Sequence, residues 1–455
     1  MSGQPSRFFV AFTPWRWAVL LMASLFVAGC SDSGDGGSDD PAPQLPSEIR
    51  RISVDSSGVE ANATNVRAKL SGTGRYVVYQ SAADNLVVDD TNLVRDIFLH
   101  DVLTGKTSRV SVNSTGVQGD DESIQAMLSA DGRYVVFRST ATNLVDNDAN
   151  ESVDIFLYDT QTGETQRVSV ANDGAEADGG SSIPSISADG KLVVFNSRAT
   201  NLVTGDTNNI TDVFLRDLQS GTISRISVDS VGTEGNAISQ GASISGNGQF
   251  VVFESSADNL VASDVNNIND LFIRDTVNNT TAIVSVHSDG TQSSKGSALS
   301  SIRTDGRFVA FSSSGSELVN GDTNQRGDVF LRDVEAGVTS RVSVNSTGEQ
   351  GDGSSSIPSI NGDGRYVAFV SSATNFVDND TNGRRDIFVK DLQANVIARV
   401  SVSAAGIEAN DHSDRPVISS DGRYIVFESD ASNLVDNDTN EVTDTFITPN
   451  PLANE

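Results

Sequence analysis

Cysteine and histidine are scarce in this chain. Cys30 is the single cysteine among 455 residues, so the fold cannot rest on internal disulfide bonds. The three histidines, His100, His287 and His412, fall at different positions of the repeat described below. A histidine metal centre or a Ser-His-Asp triad needs its side chains to converge on one place. Neither is expected here, and each histidine is expected at the surface.

Long hydrophobic runs are also missing. The apolar run at residues 17–29 has 13 residues, whereas a membrane-spanning helix needs about 20. Two basic residues, Arg7 and Arg16, precede this run. The run ends in Val-Ala-Gly, which is followed by Cys30. That ending resembles the lipobox of bacterial lipoproteins, which implies a signal peptide at 1–29 and lipid on Cys30. A secretory signal that merely contains a cysteine is the alternative.

The residues after the cysteine suggest where the protein resides. By resemblance to Gram-negative lipoproteins, Ser31 next to the cysteine favours the outer membrane of the bacterial cell envelope, on its periplasmic or surface face. Residues 30–47 lack apolar periodicity and are rich in Gly, Ser, Asp and Pro, so they cannot bury enough surface to fold. This segment is predicted to be a flexible tether.

Basic residues are outnumbered two to one. The chain has 31 Lys and Arg against 61 Asp and Glu, a formal net charge of −30. Loss of the signal peptide removes two of the basic residues and makes the mature charge near −32. Nucleic acid and anionic lipid surfaces are therefore poor partners, and cations or cationic surfaces are better ones.

A 58-residue repeat organises the rest of the chain. A glycine that precedes a short apolar run recurs at that interval seven times, with no insertion or deletion, at Gly74, Gly132, Gly190, Gly248, Gly306, Gly364 and Gly422. A second glycine recurs in step, at Gly58, Gly116, Gly174, Gly232, Gly290, Gly348 and Gly406. Such a period indicates an array of one supersecondary unit.

Each repeat is predicted to be a four-stranded propeller blade. In the sixth copy we expect strands at residues 357–360, 365–370, 386–391 and 397–402, with no helical pattern. The second and third strands are apolar on both faces, as expected for a blade between two neighbours. The seventh copy stops after its third strand, at 444–447, and residues 51–54 supply the missing fourth. The fold is therefore predicted to be an all-β, seven-bladed β-propeller over residues 48–455, closed by its N-terminal strand.

The repeat resembles a known family. Ser-Ala-Asp-Gly-Arg-Tyr-Val-Val-Phe at 129–137, followed by Asp-Ile-Phe-Leu-Tyr-Asp at 154–159 and a Thr-Gly pair, is similar to the WD40-like repeats of TolB-like propellers. The resemblance covers residues 48–448 and implies the propeller fold. The repeat here is longer, and TolB has six blades and an extra N-terminal domain. The partners of TolB therefore do not carry over.

The loop between the second and third strands holds a calcium-type motif. In residues 378–386, oxygen side chains stand at positions 1, 3, 5 and 9 and a glycine at position 6, as at the start of an EF-hand loop. The motif is also similar to the calcium loops of integrin α-subunit propellers, but Val389 replaces the glutamate of a true EF-hand at position 12. Alternatively, these side chains bond neighbouring backbone amides and bind no metal.

Positions 3, 5 and 9 are Asp, Asn and Asp in all seven copies, whereas position 1 varies. It is Val88, Thr204 or Ala262 in three copies, and Asp90, Asp206 and Asp264 stand at position 3 of the same loops. The four loops with Asp or Asn at position 1 are the candidate calcium sites: Asp146, Asp148, Asn150 and Asp154; Asn320, Asp322, Asn324 and Asp328; Asp378, Asp380, Asn382 and Asp386; Asp436, Asp438, Asn440 and Asp444.

These features favour a binding function over catalysis. The long loops between strands two and three and the links between blades should emerge on one face, where a rigid scaffold usually carries function. No carboxylate pair departs from the repeat, although an active site usually breaks the symmetry of its scaffold. We expect a monomeric, lipid-anchored binding or scaffolding module for an envelope protein or glycan. The alternatives are an envelope hydrolase or lyase acting on polysaccharide or peptide, and a calcium-dependent adhesin.

Overall fold

The computed structural model describes residue 1 and residues 44–453. The predicted signal peptide beyond its first residue, Cys30, and almost all of the predicted tether lie outside the described residues. The fold described here belongs to the unit Pro43–Glu455. None of the described residues forms a helix long and apolar enough to cross a membrane.

The chain forms seven four-stranded antiparallel sheets, which confirms the seven-bladed β-propeller. The first strand, β1, is Arg50–Arg51. Blade 1 contains β2 (Asn65–Leu70), β3 (Tyr76–Ser81), β4 (Asp96–Asp101) and β5 (Lys106–Arg109). Blade 2 contains β6 (Ser123–Leu128), β7 (Tyr134–Ser139), β8 (Asp154–Asp159) and β9 (Thr165–Arg167). Blade 3 contains β10 (Ser181–Ile186), β11 (Leu192–Ser197), β12 (Asp212–Asp217) and β13 (Thr222–Arg225).

The remaining blades repeat this arrangement. Blade 4 contains β14 (Ser239–Ile244), β15 (Phe250–Ser255), β16 (Asp270–Asp275) and β17 (Thr280–Ile283). Blade 5 contains β18 (Ser297–Ile302), β19 (Phe308–Ser313), β20 (Asp328–Asp333) and β21 (Val338–Arg341). Blade 6 contains β22 (Ser355–Ile360), β23 (Tyr366–Ser371), β24 (Asp386–Asp391) and β25 (Val396–Arg399). Blade 7 contains β26 (Ser413–Ile418), β27 (Tyr424–Ser429) and β28 (Asp444–Pro449).

The two ends of the chain meet in blade 7. β1 pairs antiparallel with β28, with Arg50 opposite Ile447 and Arg51 opposite Phe446, and it is the fourth strand of that sheet. The strand expected at 51–54 is thus a two-residue strand that starts one residue earlier. In blade 6 the predicted third strand matches β24, whereas the fourth ends three residues before its predicted end because the chain turns away after Arg399.

The core lies between blades. One buried cluster joins Val78 and Ile97 of blade 1 to Val135 and Phe156 of blade 2, and equivalent clusters fill the other interfaces, including the one between blades 7 and 1. In every blade an aromatic pair faces across the second and third strands, with ring centroids 5.7–6.2 Å apart. These strands are buried on both faces, as the sequence predicted.

The first strand of each blade surrounds the propeller axis. Each first strand contacts the first strands of both neighbouring blades, so seven of them enclose a central channel. Every one carries a β-bulge, and its third residue has a positive φ, for example 58° at Arg67 and 51° at Ile183. The bulge re-aims the third side chain and leaves it incompletely buried at the channel. The channel surface is therefore set by a few residues of each first strand.

A recurrent glycine shapes the turn from the first to the second strand. Gly132 has a φ of +74°, and a Cβ at this position would lie 2.3 Å from Cδ2 of Tyr76 in the preceding blade. Both the left-handed backbone and the close approach of the neighbouring ring require glycine here. The same turn recurs in each blade, which explains the first series of 58-residue intervals.

Candidate functional site

The aspartate at position 9 of each loop is the first residue of the third strand and is fully buried in all seven blades. In blade 2, Ser169 of the Arg-Val-Ser-Val segment donates a hydrogen bond to Oδ1 of Asp154 at 2.5 Å. Asn150, at position 5, donates to Oδ2 of the same carboxylate at 2.9 Å. The aspartate is therefore held by its own loop and by the segment that follows the fourth strand.

An arginine completes this arrangement in six blades. In blade 2, Nη1 of Arg167 lies 3.5 Å from Asp148 at position 3 and 3.5 Å from Asp154 at position 9. Across the six blades, Nη1 lies 3.1–3.7 Å from both carboxylates. The six arginines are Arg51, Arg109, Arg167, Arg225, Arg341 and Arg399. A guanidinium thus lies between the two aspartates of each of these loops.

The candidate calcium ligands are only partly brought together. Positions 3, 5 and 9 meet in each of the four predicted loops, but the side chains at position 1 are exposed: Asp146, Asn320, Asp378 and Asp436. Among the described residues, no three His, Cys, Asp or Glu side chains are grouped so that they could hold a metal ion. In each of these four loops an arginine Nη1 lies within 3.1–3.7 Å of the position-3 and position-9 carboxylates.

Burial dominates the electrostatics of these carboxylates. Burial raises the pKa of Asp148 to about 6, although Arg167 opposes the rise, and it raises the pKa of Asp380 to about 6 against the opposing Arg399. The guanidinium therefore offsets a desolvation cost that would otherwise favour the protonated acids. This role is structural, because it holds a long loop against the third strand.

Substitution of Ser169 tests this network. The Ser169 hydroxyl also accepts a hydrogen bond from the Ile155 backbone N–H at 3.0 Å. Ser169→Ala leaves a buried donor and a buried carboxylate oxygen without a partner, so we expect a loss of about 1–3 kcal/mol in the free energy of unfolding. Urea titration measures it. Ser108→Ala is the control, because that hydroxyl makes one long bond of 3.4 Å to Leu99, and an equal loss in both variants would contradict the account.

The histidines do not form a common site. His100 is buried in blade 1, so the expectation that it lies at the surface is wrong; its Nδ1 is 2.9 Å from the Thr107 hydroxyl, and burial lowers its pKa to about 4. His287 lies 2.8 Å from Asp289 in the link after blade 4, and His412 accepts a hydrogen bond from the Arg385 backbone in the link before blade 7.

The charged residues of the first strands are confined to one side of the ring. Among the seven first strands, only those of blades 1 and 7 carry charged side chains: Arg67, Lys69, Asp414 and Arg415. Asp414 is bound by Arg385 at 2.6 Å. Arg138, on the second strand of blade 2, lies close enough to act on the pKa of Arg67. The centre of this acidic protein is therefore locally cationic.

Glu428 lies behind these basic residues. It is 4% exposed, it accepts a hydrogen bond from the Arg67 backbone N–H, and its Oε2 is 3.6 Å from Nε of Arg415. We call Arg67, Lys69, Arg138, Arg415 and Glu428 the channel cluster. Burial raises the pKa of Glu428 to about 7 and lowers the pKa of Lys69 to about 8.

The opposite side of the channel differs. In blade 4, Glu254 accepts a hydrogen bond from the Leu299 backbone N–H at 3.0 Å, beneath the bulge of the next blade, and burial raises its pKa. No basic residue stands on the first strands of blades 3 to 6. Sequence reasoning missed the channel cluster, although the signal was present as basic residues in only two copies of a strand that is otherwise neutral.

Comparisons with known proteins support the fold. No family model matches the sequence, and no curated protein matches it. An oligogalacturonate lyase in complex with manganese is similar at TM-score 0.54 and 13% identity, over 89% of this chain and 93% of that one. The β-propeller domain of the Trilobed protease from Pyrococcus furiosus is similar at TM-score 0.53 and 10% identity, over 85% and 95%. TolB from Acinetobacter baumannii is also a neighbour, at TM-score 0.40 and 14% identity, over 74% and 62%.

The likeness to the lyase and to the protease domain, at 13% and 10% identity, shows a shared propeller fold and nothing more. The manganese belongs to the lyase structure, and the activities named in these titles belong to those proteins. What this chain does must therefore be argued from its own residues.

Proposed function

We propose that this protein is a lipid-anchored binding module of the bacterial cell envelope whose central channel takes an anionic ligand. The observation that carries the proposal is the channel cluster: Arg67, Lys69 and Arg415 lie on first strands around the axis, close enough to act on one another's pKa, and Arg138 lies near Arg67. The whole chain, in contrast, has a net charge of −30. Negative charge elsewhere repels anions from the outer surface. A locally positive channel then concentrates an anion at one place.

The chemistry of the cluster suits carboxylates. Arginine presents several donors in a planar fork that matches a carboxylate, and Arg67 and Arg415 are both incompletely buried, so their side chains remain reachable. The ligand that we propose is an acidic oligosaccharide, a chain of carboxylated sugars. The name of the oligogalacturonate lyase with the same fold makes oligogalacturonate a reasonable probe of this class.

The anchor and location form part of the same proposal. Lipid on Cys30 and the tether at 30–47 would hold the propeller at the outer membrane, where acidic glycans are encountered. The support for this part is the sequence alone, because these residues lie outside those that the structure describes.

In this proposal the six loop arginines take the role of balancing the loop aspartates, which the sequence interpretation gave to calcium. Nη1 lies between the two buried aspartates in six blades, so an internal cation already balances the loop that the sequence interpretation assigned to calcium. A calcium-dependent adhesin is disfavoured for the same reason.

Titration of the full chain with oligogalacturonate, and with a neutral oligosaccharide of equal length, tests the proposal. We expect saturable binding of the acidic ligand only. The double variant R67Q/R415Q should weaken it about ten- to a hundredfold or more, since a hydrogen bond to a charged group contributes about 1.5–3 kcal/mol.

The matched control is R307Q/R423Q, which removes two exposed arginines outside the channel. Equal binding of the neutral oligosaccharide, or equal weakening in both double variants, would contradict the channel as the binding site.

A further inference from the structure

Blade 4 departs from the other six blades at the arginine position. Ile283 stands opposite Phe272 in the same register in which Arg225 stands opposite Phe214 in blade 3. Isoleucine has no donor and no charge. The two loop aspartates, Asp264 and Asp270, are nevertheless present.

The buried carboxylate of blade 4 consequently lacks a partner on one oxygen. Ser285 donates to Oδ1 of Asp270 at 2.5 Å, as the equivalent serine does in the other blades. Oδ2 is the oxygen that faces the arginine elsewhere. Within the part of the chain that the structure describes, Asp270 Oδ2 has no hydrogen-bond partner, Asp270 forms no ion pair, and the residue is 0% exposed. A buried carboxylate oxygen without a partner is costly, and each such case needs an explanation.

A backbone carbonyl oxygen, that of Ser263, lies in the same loop as the two aspartates. The other terminal nitrogen of each arginine donates to a backbone carbonyl of the loop, for example from Arg225 to Gly205 at 2.9 Å. Ser263 occupies the equivalent position in blade 4. Asn266 donates to the Ser293 carbonyl at 3.1 Å, as its equivalents do. It lacks the second hydrogen bond that they make to Oδ2 of the position-9 aspartate, for example from Asn208 to Asp212 at 3.0 Å.

We propose that blade 4 binds one hard divalent cation of the calcium class between Asp264 and Asp270, with the Ser263 carbonyl and water completing its shell. Three features support this: two carboxylates flank the point that a guanidinium nitrogen takes in six other blades, one carboxylate oxygen is buried without a partner, and the carboxylate and carbonyl oxygens are ligands that such ions prefer. Gln292 Nε2 donates to Oδ1 of Asp264 at 3.3 Å, and this amide gives way to the ion or turns its own oxygen toward it. Asp264 is only half-buried and Ser263 is exposed, which leaves a path from solvent.

Calorimetric titration of the full, chelator-treated chain with calcium tests this site. We expect one saturable site and a rise in melting temperature on binding. Ile283→Arg supplies the missing guanidinium, so it should abolish the calcium site and raise the melting temperature of the calcium-free protein.

The reverse variant is Arg225→Ile, which removes the guanidinium from blade 3, where the position-1 residue also lacks a carboxylate. Blade 3 then still differs from blade 4 in having Glu234, a further oxygen donor, where blade 4 has Gln292. It should add a second calcium site to the first. If Arg225→Ile does not fold, calcium binding by the wild-type chain and by Ile283→Arg still tests the site. No saturable calcium binding in the wild-type chain, or a single site that Ile283→Arg leaves intact, would overturn the proposal. The oligogalacturonate titration is separate and does not bear on it.

Discussion

Replacing Arg167 by methionine is expected to lower the free energy of unfolding by about 3–5 kcal/mol, because the change leaves two buried carboxylates without their cation. Arg167 is 7% exposed in its side chain, and it contacts Asp148, Asp154 and Glu176. Methionine retains much of the volume, so the effect reports charge rather than a cavity. Urea titration at pH 8 measures it.

The control is Arg133→Met in the same blade. Arg133 pairs with Asp159 at 2.7 Å, and its side chain is one-third exposed, so water can take the place of the lost ion pair and the loss in Arg133→Met should be smaller. The loss in Arg167→Met should shrink at pH 5, since the carboxylates left without the arginine can then be protonated. Equal losses for the two variants at pH 8 would show that the internal arginine does not balance the loop carboxylates.

Anion binding in the channel is expected to weaken by about tenfold or more as the pH rises from 6 to 9. At pH 6 Glu428 is mainly neutral and Lys69 is charged, so the channel cluster carries four positive charges. At pH 9 Glu428 is ionised and Lys69 is mainly neutral, so the net charge falls to two. Both changes remove attraction for an anion, and both act in the same direction. Oligogalacturonate titrations at constant ionic strength measure the effect.

Glu428→Gln separates the two titrations. Glutamine is similar in size and still accepts the hydrogen bond from the Arg67 backbone N–H, but it does not ionise. The variant should bind more tightly than the wild-type chain at pH 8, and its affinity should fall only above about pH 7, as Lys69 loses its proton. An unchanged pH profile in this variant would contradict the assignment of the lower step to Glu428.

The blades could be predicted from the sequence because local signals agreed. The glycine of each first turn recurs at constant intervals, and the apolar second and third strands recur with it, so the count of seven needed no tertiary information. The ends of the strands were harder to predict from the sequence. The fourth strand of blade 6 ends at Arg399 rather than at 402, because after this arginine the chain turns to bring Ser401 onto Asp386.

The loop chemistry was harder to predict because its cation lies on another strand. Asp148 and Asp154 are six residues apart, and their spacing can be seen within one loop. Arg167 reaches them from the fourth strand, a contact that depends on sheet register. The signal was nevertheless in the sequence, since arginine recurs at this position in six copies and only the fourth has Ile283.

The channel cluster depends on geometry that the sequence does not display. A regular strand would alternate its side chains, so Arg67 and Lys69 would share one face, without showing which face meets the axis. The bulge at Arg67, and the placement of Glu428 behind it from the last blade, follow only from ring closure.

Amine labelling of Lys69 tests the central claim most directly, because it reports on the channel itself. With a pKa of about 8, Lys69 is partly unprotonated at pH 8 and should react with an acylating reagent, which mass spectrometry can follow beside the exposed Lys106 and Lys191. Saturating oligogalacturonate is predicted to slow the labelling of Lys69 and to leave the two exposed lysines unchanged. An unchanged rate at Lys69, with the ligand bound, would show that the anion binds elsewhere.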